Sequence, residues 1–431
     1  MQDIKEKASY CLHCINKPCS EKGCPLGNNI PDFIEQIKYE NYQNAYRILS
    51  ETTVLSGICG KICPHEKQCQ SVCIRGIKGE PVEIGNLELQ AYGKSKEEGF
   101  TLFDCWKDEI EKNKKKNGNK KVAVIGSGPS GLTAAAFLAK AGFSVTIYEK
   151  YGYLGGLLVY GIPDFRLNKE VVKDTVENIL NLGIKVEYNK ELGNNLTIEE
   201  LENNYDAIYL GIGANVSTKM GVEGEGLNGV YGGNELLEFK NYPNFTDKKV
   251  AIVGGGNVAM DCCRTIKRLG AKEVKVIYRR AREQMPAEDK EIEAATDEGI
   301  EFLFQNNIVK IMGDNEDLKE KSKVNKVELI KTELVQREGE KRLSPVNIEG
   351  SNYVIDMDYV VMALGSKPEN FVKDLGLELD RWGNISVNEN YQTSNPKVFA
   401  GGDIIGKNKT VAWAGYFGRE AAKEIDRYLN L

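Results

Sequence analysis

Eight of the eleven cysteines fall within the first 73 residues, in two bursts. "CLHCINKPCSEKGCP" sets Cys11, Cys14, Cys19 and Cys24 at C-x2-C-x4-C-x4-C, with Pro25 behind them. "CGKICPHEKQCQSVC" sets Cys59, Cys63, Cys69 and Cys73 at C-x3-C-x5-C-x3-C. Clustered thiolates are soft ligands that suit zinc or iron–sulfur centres. The first burst is close to the ferredoxin style, in which the fourth cysteine serves the other cluster. Its intervening residues (Asn16, Pro18, Ser20, Gly23, Pro25) are small, polar or helix-breaking, so the loop can wrap an inorganic cube and turn backbone N–H groups toward its sulfurs. Zinc is the competing expectation, but zinc sites usually come as paired short knuckles, and the second burst is not of that kind.

Disulfides are not expected. The opening "MQDIKEKASY" is charged and has no signal-peptide apolar run. Runs such as "YVVMALG" are too short to span a bilayer. A cytoplasmic chain keeps its thiols reduced. A net charge of −6, with Lys and Arg mixed among Asp and Glu, argues against a nucleic-acid partner, and no membrane partner is expected.

At 431 residues there is room for two or three domains. "IPDFIEQIKYENYQNAYRILSETT" carries Ile30, Phe33, Ile34, Ile37, Ala45, Ile48 and Leu49 at helical spacing, so helices should flank the cysteine loops over 1–110. "EKNKKKNGNKK" reads as a linker at 111–120. The chain then repeats a plan. Both "KKVAVIGSGPSGLTAAAFLAKAGFSVTIYEK" and "KKVAIVGGGNVAMDCCRTIKRLGAKEVKVIYRR" run strand, Gly turn, helix, strand, the start of a Rossmann-type unit. The expected class is α/β: a helical iron–sulfur domain, an FAD domain over 121–245 and 355–431, and an NADPH domain over 246–354 inserted in it. The polar "MGDNEDLKEKSKVNK" should be an exposed hairpin or loop.

The two turns differ. In the first, Gly126 allows the tight turn, Gly128 lets the backbone approach a pyrophosphate, and Gly131 lets helix and strand pack. Glu149 ends the second strand, where a carboxylate accepts from ribose hydroxyls and repels a 2′-phosphate, so FAD or NAD fits and NADP does not. In the second, Gly254 and Gly256 recur with Asn257 and Val258 behind them, and Arg279 and Arg280 stand where the acid stood. Paired guanidiniums suit a 2′-phosphate, so NADPH is expected there. Late in the chain "NPKVFAGGDIIG" enters a turn at Gly402 and Asp403, whose carboxylate could hold ribityl hydroxyls and favours FAD at the first site. Pro129, Lys150 and Thr410 join the FAD candidates, and Gly365 joins those for NADPH.

With these residues in view, the chain resembles the small (beta) subunit of bacterial glutamate synthase and its relatives, among them the large subunit of the electron-bifurcating NADH-dependent ferredoxin:NADP oxidoreductase and the N-terminal half of dihydropyrimidine dehydrogenase. The resemblance spans the whole chain and rests on the cysteine loops with "CPLGNNIPDFI", "GSGPSGL", "GGLLVYGIPDFRL", "GGGNVAMD", "YRRAREQMPAE" and "VFAGGD". It implies that Cys11, Cys14, Cys19 and Cys73 hold one [4Fe–4S] cluster, while Cys24, Cys63, Cys69 and Glu88 hold another. Spacing alone would choose Cys59 as the eighth ligand, so both residues stand as candidates. Four residues separate Cys19 from Cys24, where relatives often have three. The resemblance also implies that Gly156 and Leu157 pass close to the flavin and that Arg166 reaches its phosphates or ring.

The implied activity is NADPH oxidation at FAD, with single electrons passed through the clusters to a large catalytic subunit or a ferredoxin-like acceptor. A bifurcating complex and a stand-alone reductase are alternatives, and a zinc-bearing scaffold is the alternative from another class. No catalytic side chain is expected. His13 and His65 are the only histidines, and Cys262 and Cys263 read as small core residues.

Overall fold

The computed structural model describes residues 4–315, 322–337 and 342–431. Helices open the chain: α1 (Ile4–Ser9), α2 (Ile30–Lys38), α3 (Tyr42–Ser50), α4 (Ser56–Ile62), α5 (Ile84–Glu97) and α6 (Leu102–Asn117). The i, i+3, i+4 spacing of α2 puts Ile30, Phe33, Ile34 and Ile37 on one buried face. That face packs with Ala45 and Leu49 of α3, with Ile84, Leu87 and Ala91 of α5, and with Cys19 and Cys69. Each fully buried Ile, Leu or Phe contributes about 1.5–3 kcal/mol, so this small core fixes the cysteine loops around it. α6 starts at a capping box of Thr101 and Asp104 and runs to Asn117. The expected linker at 111–120 is therefore mostly the last turns of a helix. Its three terminal lysines suit the negative end of the helix dipole.

Next come β1 (Lys121–Ile125), α7 (Pro129–Lys140), β2 (Ser144–Glu149), α8 (Leu157–Tyr160), α9 (Lys169–Leu180), β3 (Lys185–Tyr188), α10 (Ile198–Asn204) and β4 (Ala207–Leu210). The second nucleotide-type region holds β5 (Val216–Ser217), β6 (Val230–Gly232), α11 (Gly233–Phe239), β7 (Lys249–Val253), α12 (Asn257–Arg268), β8 (Glu273–Tyr278), α13 (Asp289–Asp297) and β9 (Glu301–Phe304). It continues through β10 (Asn306–Gly313), β11 (Val324–Val335), β12 (Ser344–Asn347), β13 (Tyr353–Asp356), β14 (Tyr359–Met362) and β15 (Ser366–Lys367). β16 (Val398–Ala400) and α14 (Val411–Leu429) close the chain.

The first sheet has the order β16-β4-β1-β2-β3 and the second β6-β14-β7-β8-β9. Every pairing in both is parallel. From β1 and from β7 the chain moves to one side and later returns on the other, so a switch point lies beside β1 and beside β7, where open α/β sheets bind ligands. β10 to β13 form an antiparallel layer. β10 and β11 are the arms of the expected polar hairpin; residues 316–321 of that stretch lie outside the described residues.

The compact units break elsewhere than the sequence suggested. One comprises Met1–Val159, Asp164–Ala214 and Pro368–Leu431; the other comprises Tyr160–Pro163 and Asn215–Lys367. The expected boundaries at 246 and 354 are thus displaced, because β6 and β14 pair with each other, and β14 with β7, in the second sheet. The cysteine region shares its unit with the first sheet.

Within that unit α14 packs along α7. It also reaches the cysteine region: the buried Arg419 donates from Nη1 to the carbonyls of Leu26 at 2.7 Å and Thr52 at 2.9 Å. Replacing Arg419 by Met keeps the stem and leaves both carbonyls without this donor. We expect a cost of about 2–3 kcal/mol, read as a lower denaturation midpoint; an unchanged midpoint would show that these bonds do not tie the cysteine region down.

Candidate functional site

The cysteine loops follow from local chemistry. Left-handed backbone at His13 (φ 49°) and Lys17 (φ 34°) bends the first loop back on itself. Lys17 anchors the bend by donating to Asn29 Oδ1 at 2.7 Å and to Asp32 Oδ2 at 3.0 Å. Cys24 closes the turn through its N–H to the Cys19 carbonyl at 2.8 Å. Cys63 follows α4 directly, its N–H bonded to the Cys59 carbonyl.

Two sets of donors emerge. Cys11, Cys14, Cys19 and Cys73 line one cleft with Leu12, Ile74 and Arg75 at its walls. Burial pushes the Cys19 thiol up to about 11, with the charges of Cys11 and Cys73 adding to it. Cys11 is raised by burial, with Cys14 and Cys73 adding. In the other set, burial pushes Cys24 up to about 12, with Glu88 and Cys63 as its charged neighbours. Cys69 is raised by burial and then by Cys24, Cys63 and Glu88. Cys19 also acts on Cys69, so the sets are neighbours.

Glu88 is the sharpest observation. It sits on α5, 5% exposed, and its Oε1 has no hydrogen-bond partner. Burial pushes its carboxyl up to about 8. An unpaired buried carboxylate is costly and rare unless something cationic takes its lone pairs. Three neighbouring thiols and an orphaned carboxylate are a donor set that fits a cluster. Cys59 lies at the same place, 1% exposed, hydrogen-bonded through its side chain to Cys63. That bond pulls its thiol down, but burial, Glu88 and Cys24 outweigh it. Among the described residues no three His, Cys, Asp or Glu side chains are grouped as a single metal ion would need.

The first Gly turn stands at the switch point. Gly126 has φ 92°, and a Cβ there would meet the Gly211 carbonyl, after β4, at 2.6 Å. At Gly131 a Cβ would lie 1.9 Å from the Gly126 oxygen. Gly128 caps α7, Pro129 occupies its first turn, and nothing lies within 4 Å of a Cβ built on Gly128. That open space, with the free N–H groups of a helix N-terminus behind it, is a cradle for a pyrophosphate. Glu149 ends β2, its carboxylate accepting from Tyr151 N and Ser127 N, each at 3.0 Å, and from the Ser127 hydroxyl.

The other candidates of this site gather unevenly. Gly156 (φ 55°) packs on the turn itself, where a Cβ would meet Gly128 Cα at 2.8 Å. Leu157 begins α8 half-buried, and Arg166 is buried. Gly402 (φ 79°) lies against Ser130 in the first turn of α7, and burial pushes Asp403 up to about 6 against the pull of Lys409. Lys150 is ion-paired to Glu369 at 2.9 Å, and Thr410 caps α14 by accepting from Trp413 N.

The second turn repeats the geometry. A Cβ on Gly254 (φ 137°) would meet the Ala363 carbonyl, after β14, at 2.2 Å. Gly256 caps α12; Asn257 Oδ1 accepts from Glu288 N at 3.1 Å, and Val258 is half-buried beside it. Gly365 (φ 106°) faces open space. Arg279 and Arg280 follow β8, the first exposed and the second half-buried. Burial raises the Tyr278 phenol, while Arg280, Arg279 and Arg342 pull it down.

Sequence reasoning missed two of these groups. Ser127 is the variable residue inside G-x-G, yet it braces Glu149 and also accepts from Gly155 N at 3.1 Å; a hydroxyl between two such glycines was the available signal. Arg342 joins Arg279 and Arg280 from 63 positions beyond Arg279, and nothing local marks it. Cys262 and Cys263 are fully buried in the second core, as expected. No helix among the described residues is long and apolar enough to cross a membrane.

Several known proteins are similar to this chain in sequence or fold. Residues 120–418 match the family described as pyridine nucleotide-disulphide oxidoreductase, and residues 1–100 match dihydropyrimidine dehydrogenase domain II, 4Fe-4S cluster. The glutamate synthase [NADPH] small chain of Escherichia coli is 34% identical over 99% of this chain and 92% of its own length. The beta subunit of the NADP(+)-dependent formate dehydrogenase of Moorella thermoacetica is 35% identical over 96% of this chain and 60% of its own length. FprA of Mycobacterium tuberculosis, solved in complex with NADPH, shares the fold at a TM-score of 0.64 and 19% identity, over 72% of this chain and 85% of that one. Two Gly turns at two switch points, preceded by a cysteine region of matching type, make this chain an oxidoreductase of the pyridine nucleotide-disulphide oxidoreductase family, of the glutamate synthase small-chain type.

Proposed function

We propose that the chain oxidises NADPH at an FAD held by the first Gly turn and sends the electrons singly, through two [4Fe–4S] clusters, to the large catalytic subunit of a glutamate synthase. The observation that supports this reading is the gathering of Cys11, Cys14, Cys19 and Cys73 about one cleft and of Cys24, Cys59, Cys63 and Cys69 with Glu88 beside it, in the same compact unit as the first turn. Cys11, Cys14, Cys19 and Cys73 hold one cluster; Cys24, Cys63, Cys69 and Glu88 hold the other. When bound, FAD would supply the conversion of one hydride from NADPH into two single electrons and one proton.

The chain's own residues bind, orient and exclude water. Gly126, Gly128, Pro129 and Gly131 offer backbone to the FAD pyrophosphate. Glu149 and Lys150 serve its adenosine end, while Gly156, Leu157, Arg166, Gly402, Asp403 and Thr410 serve the flavin side. Gly254, Gly256, Asn257, Val258 and Gly365 take the NADPH backbone, and Arg279 and Arg280 take its 2′-phosphate. Hydride transfer between cofactors needs alignment more than an acid or base, in keeping with the lack of a catalytic side chain among these candidates.

An anaerobic titration tests the reading, following flavin bleaching optically and the clusters by EPR, with iron, zinc and FAD quantified on the same sample. NADPH should bleach the flavin and reduce the clusters, and NADH should not. The Arg279→Ala, Arg280→Ala double variant should need about 10- to 100-fold more NADPH, the worth of one or two charge-assisted bonds, with its response to NADH unchanged. Zinc in place of iron, or no bleaching, would overturn the proposal.

A second reading has the formate dehydrogenase relative in its favour, since its identity matches that of the synthase chain. In that reading the same electron-input module serves a different partner, either a ferredoxin-like acceptor or a bifurcating complex. Glutamine-dependent NADPH oxidation on adding a synthase large subunit would decide against it.

A further inference from the structure

Cys59 is the one thiol of the two bursts that the ligand reading leaves over. It lies buried on α4, and the helix decides what it meets. Cys63 follows one turn later, its N–H on the Cys59 carbonyl at 3.1 Å, so the two side chains share a face. α4 also lies hard against α5. A Cβ on Gly60 would meet Leu89 N at 2.7 Å and the Gly85 carbonyl oxygen at 2.8 Å. That close approach brings Cys59 beside the helix of Glu88, near enough for the Glu88 charge to act on it.

The side chains of Cys59 and Cys63 are joined by a hydrogen bond. A cysteine that binds iron is a thiolate with no proton to give. With Cys63 as a ligand, Cys59 must therefore be the donor and the Cys63 sulfur the acceptor. Burial, Glu88 and Cys24 all oppose ionisation of Cys59, which keeps the proton on its own sulfur. A second donor stands behind it. The Thr53 hydroxyl accepts from Leu55 N at 3.1 Å, which leaves its own proton to place, and the Thr53 side chain is hydrogen-bonded to Cys59. A directed series results: Leu55 N–H, Thr53 hydroxyl, Cys59 thiol, Cys63 sulfur. All four residues are buried. In such a series each donor is polarised by the one behind it. A hydrogen bond given to a ligating sulfur draws off negative charge and so favours the reduced, more negative cluster.

We propose that Cys59, backed by Thr53, is a hydrogen-bond donor to the ligating sulfur of Cys63 and raises the reduction potential of the cluster held by Cys24, Cys63, Cys69 and Glu88. The inference rests on that ligand assignment. Cys59 acts through Cys63 and touches no iron. Reduction adds one electron to the cluster; no bond forms or breaks, and the Cys59 proton stays on its own sulfur.

The test uses the full chain with its clusters, poised with dithionite and mediator dyes and read by EPR, so it needs no hydride from NADPH. Cys59→Ala should lower the potential of one cluster only. Its reduced-to-oxidised ratio should fall about tenfold at a fixed potential, which for a one-electron couple is about 59 mV. Iron content and the potential of the other cluster should stay as they are. Cys59→Ser keeps a donor on the same carbon and should recover most of the shift. Thr53→Val removes the outer donor at nearly the same shape and should lower the same ratio about two- to threefold. An unchanged potential in Cys59→Ala, or equal shifts of both clusters, would overturn the proposal. If Cys59→Ala does not fold, Thr53→Val decides, and an unchanged potential there overturns it as well. Loss of half the iron from Cys59→Ala would make Cys59 a ligand and sink the Glu88 assignment with the proposal. A failed NADPH titration would instead sink the hydride-input reading, while these potentials would still be measured.

Discussion

Replacing Glu88 by alanine should remove about half of the iron and one of two EPR-active clusters, while Cys59→Ser should keep both. The side chain explains the asymmetry. Cys59 already has a partner in Cys63, whereas Glu88 Oε1 is buried with none. If Glu88→Ala kept both clusters and Cys59→Ser lost one, the ligand assignment would be reversed. The cluster-free chain offers a second readout. Burial raises the folded-state carboxyl to about 8 from an ordinary 4.5. A raised value contributes stability that is fully present below the unfolded pKa and lost as pH climbs through the folded one. Cluster-free protein should therefore weaken between about pH 4.5 and 8, on the order of 3–5 kcal/mol. Glu88→Gln, neutral throughout, should flatten that slope; an unchanged slope in the variant would assign the effect to other groups.

The second large effect belongs to Gly131. A methyl group there would sit 1.9 Å from the Gly126 oxygen and 2.9 Å from its carbonyl carbon. Both are backbone atoms of the turn, so no flexible side chain can swing away. Gly131→Ala must push α7 off the strand or open the turn, and either move destroys the pyrophosphate cradle. We expect a protein purified without FAD and destabilised by about 3 kcal/mol or more. Gly93→Ala is the control: it lies within α5 with nothing within 4 Å of a built Cβ. It should be neutral or more stable by up to about 1 kcal/mol. A flavin-replete Gly131→Ala variant of normal stability would refute the packing argument.

What the sequence made legible was whatever a short window contains. Strand, glycine, helix and second strand are consecutive, so both Gly turns and the residues ending their second strands follow from the sequence alone. The cysteine loops were legible for the same reason. Domain boundaries were not, because β6 and β14 join the second sheet through pairings across more than a hundred residues, and no local pattern announces such a partner. The helix through 111–117 was missed because its lysines and asparagines hide the one buried stripe of Leu102, Trp106 and Ile110 that holds α6 down. Glu88 lay beyond spacing altogether. A lone glutamate on a helix looks solvated until its burial is known, and only the resemblance singled it out.

The order of the first sheet also has a consequence for how the protein is made. β4 ends at Leu210, yet its second neighbour, β16, begins at Val398. During translation the outer edge of β4 therefore waits for roughly 190 residues, about 10–40 s at ordinary ribosome speeds, with its N–H and C=O groups unpaired. Open strand edges invite wrong partners. The segment synthesised meanwhile is Asn215–Lys367, which makes up all of the second unit except Tyr160–Pro163. Truncation after that segment would thus release a chain whose first sheet still has an open edge, the species on which chaperones and proteases would act.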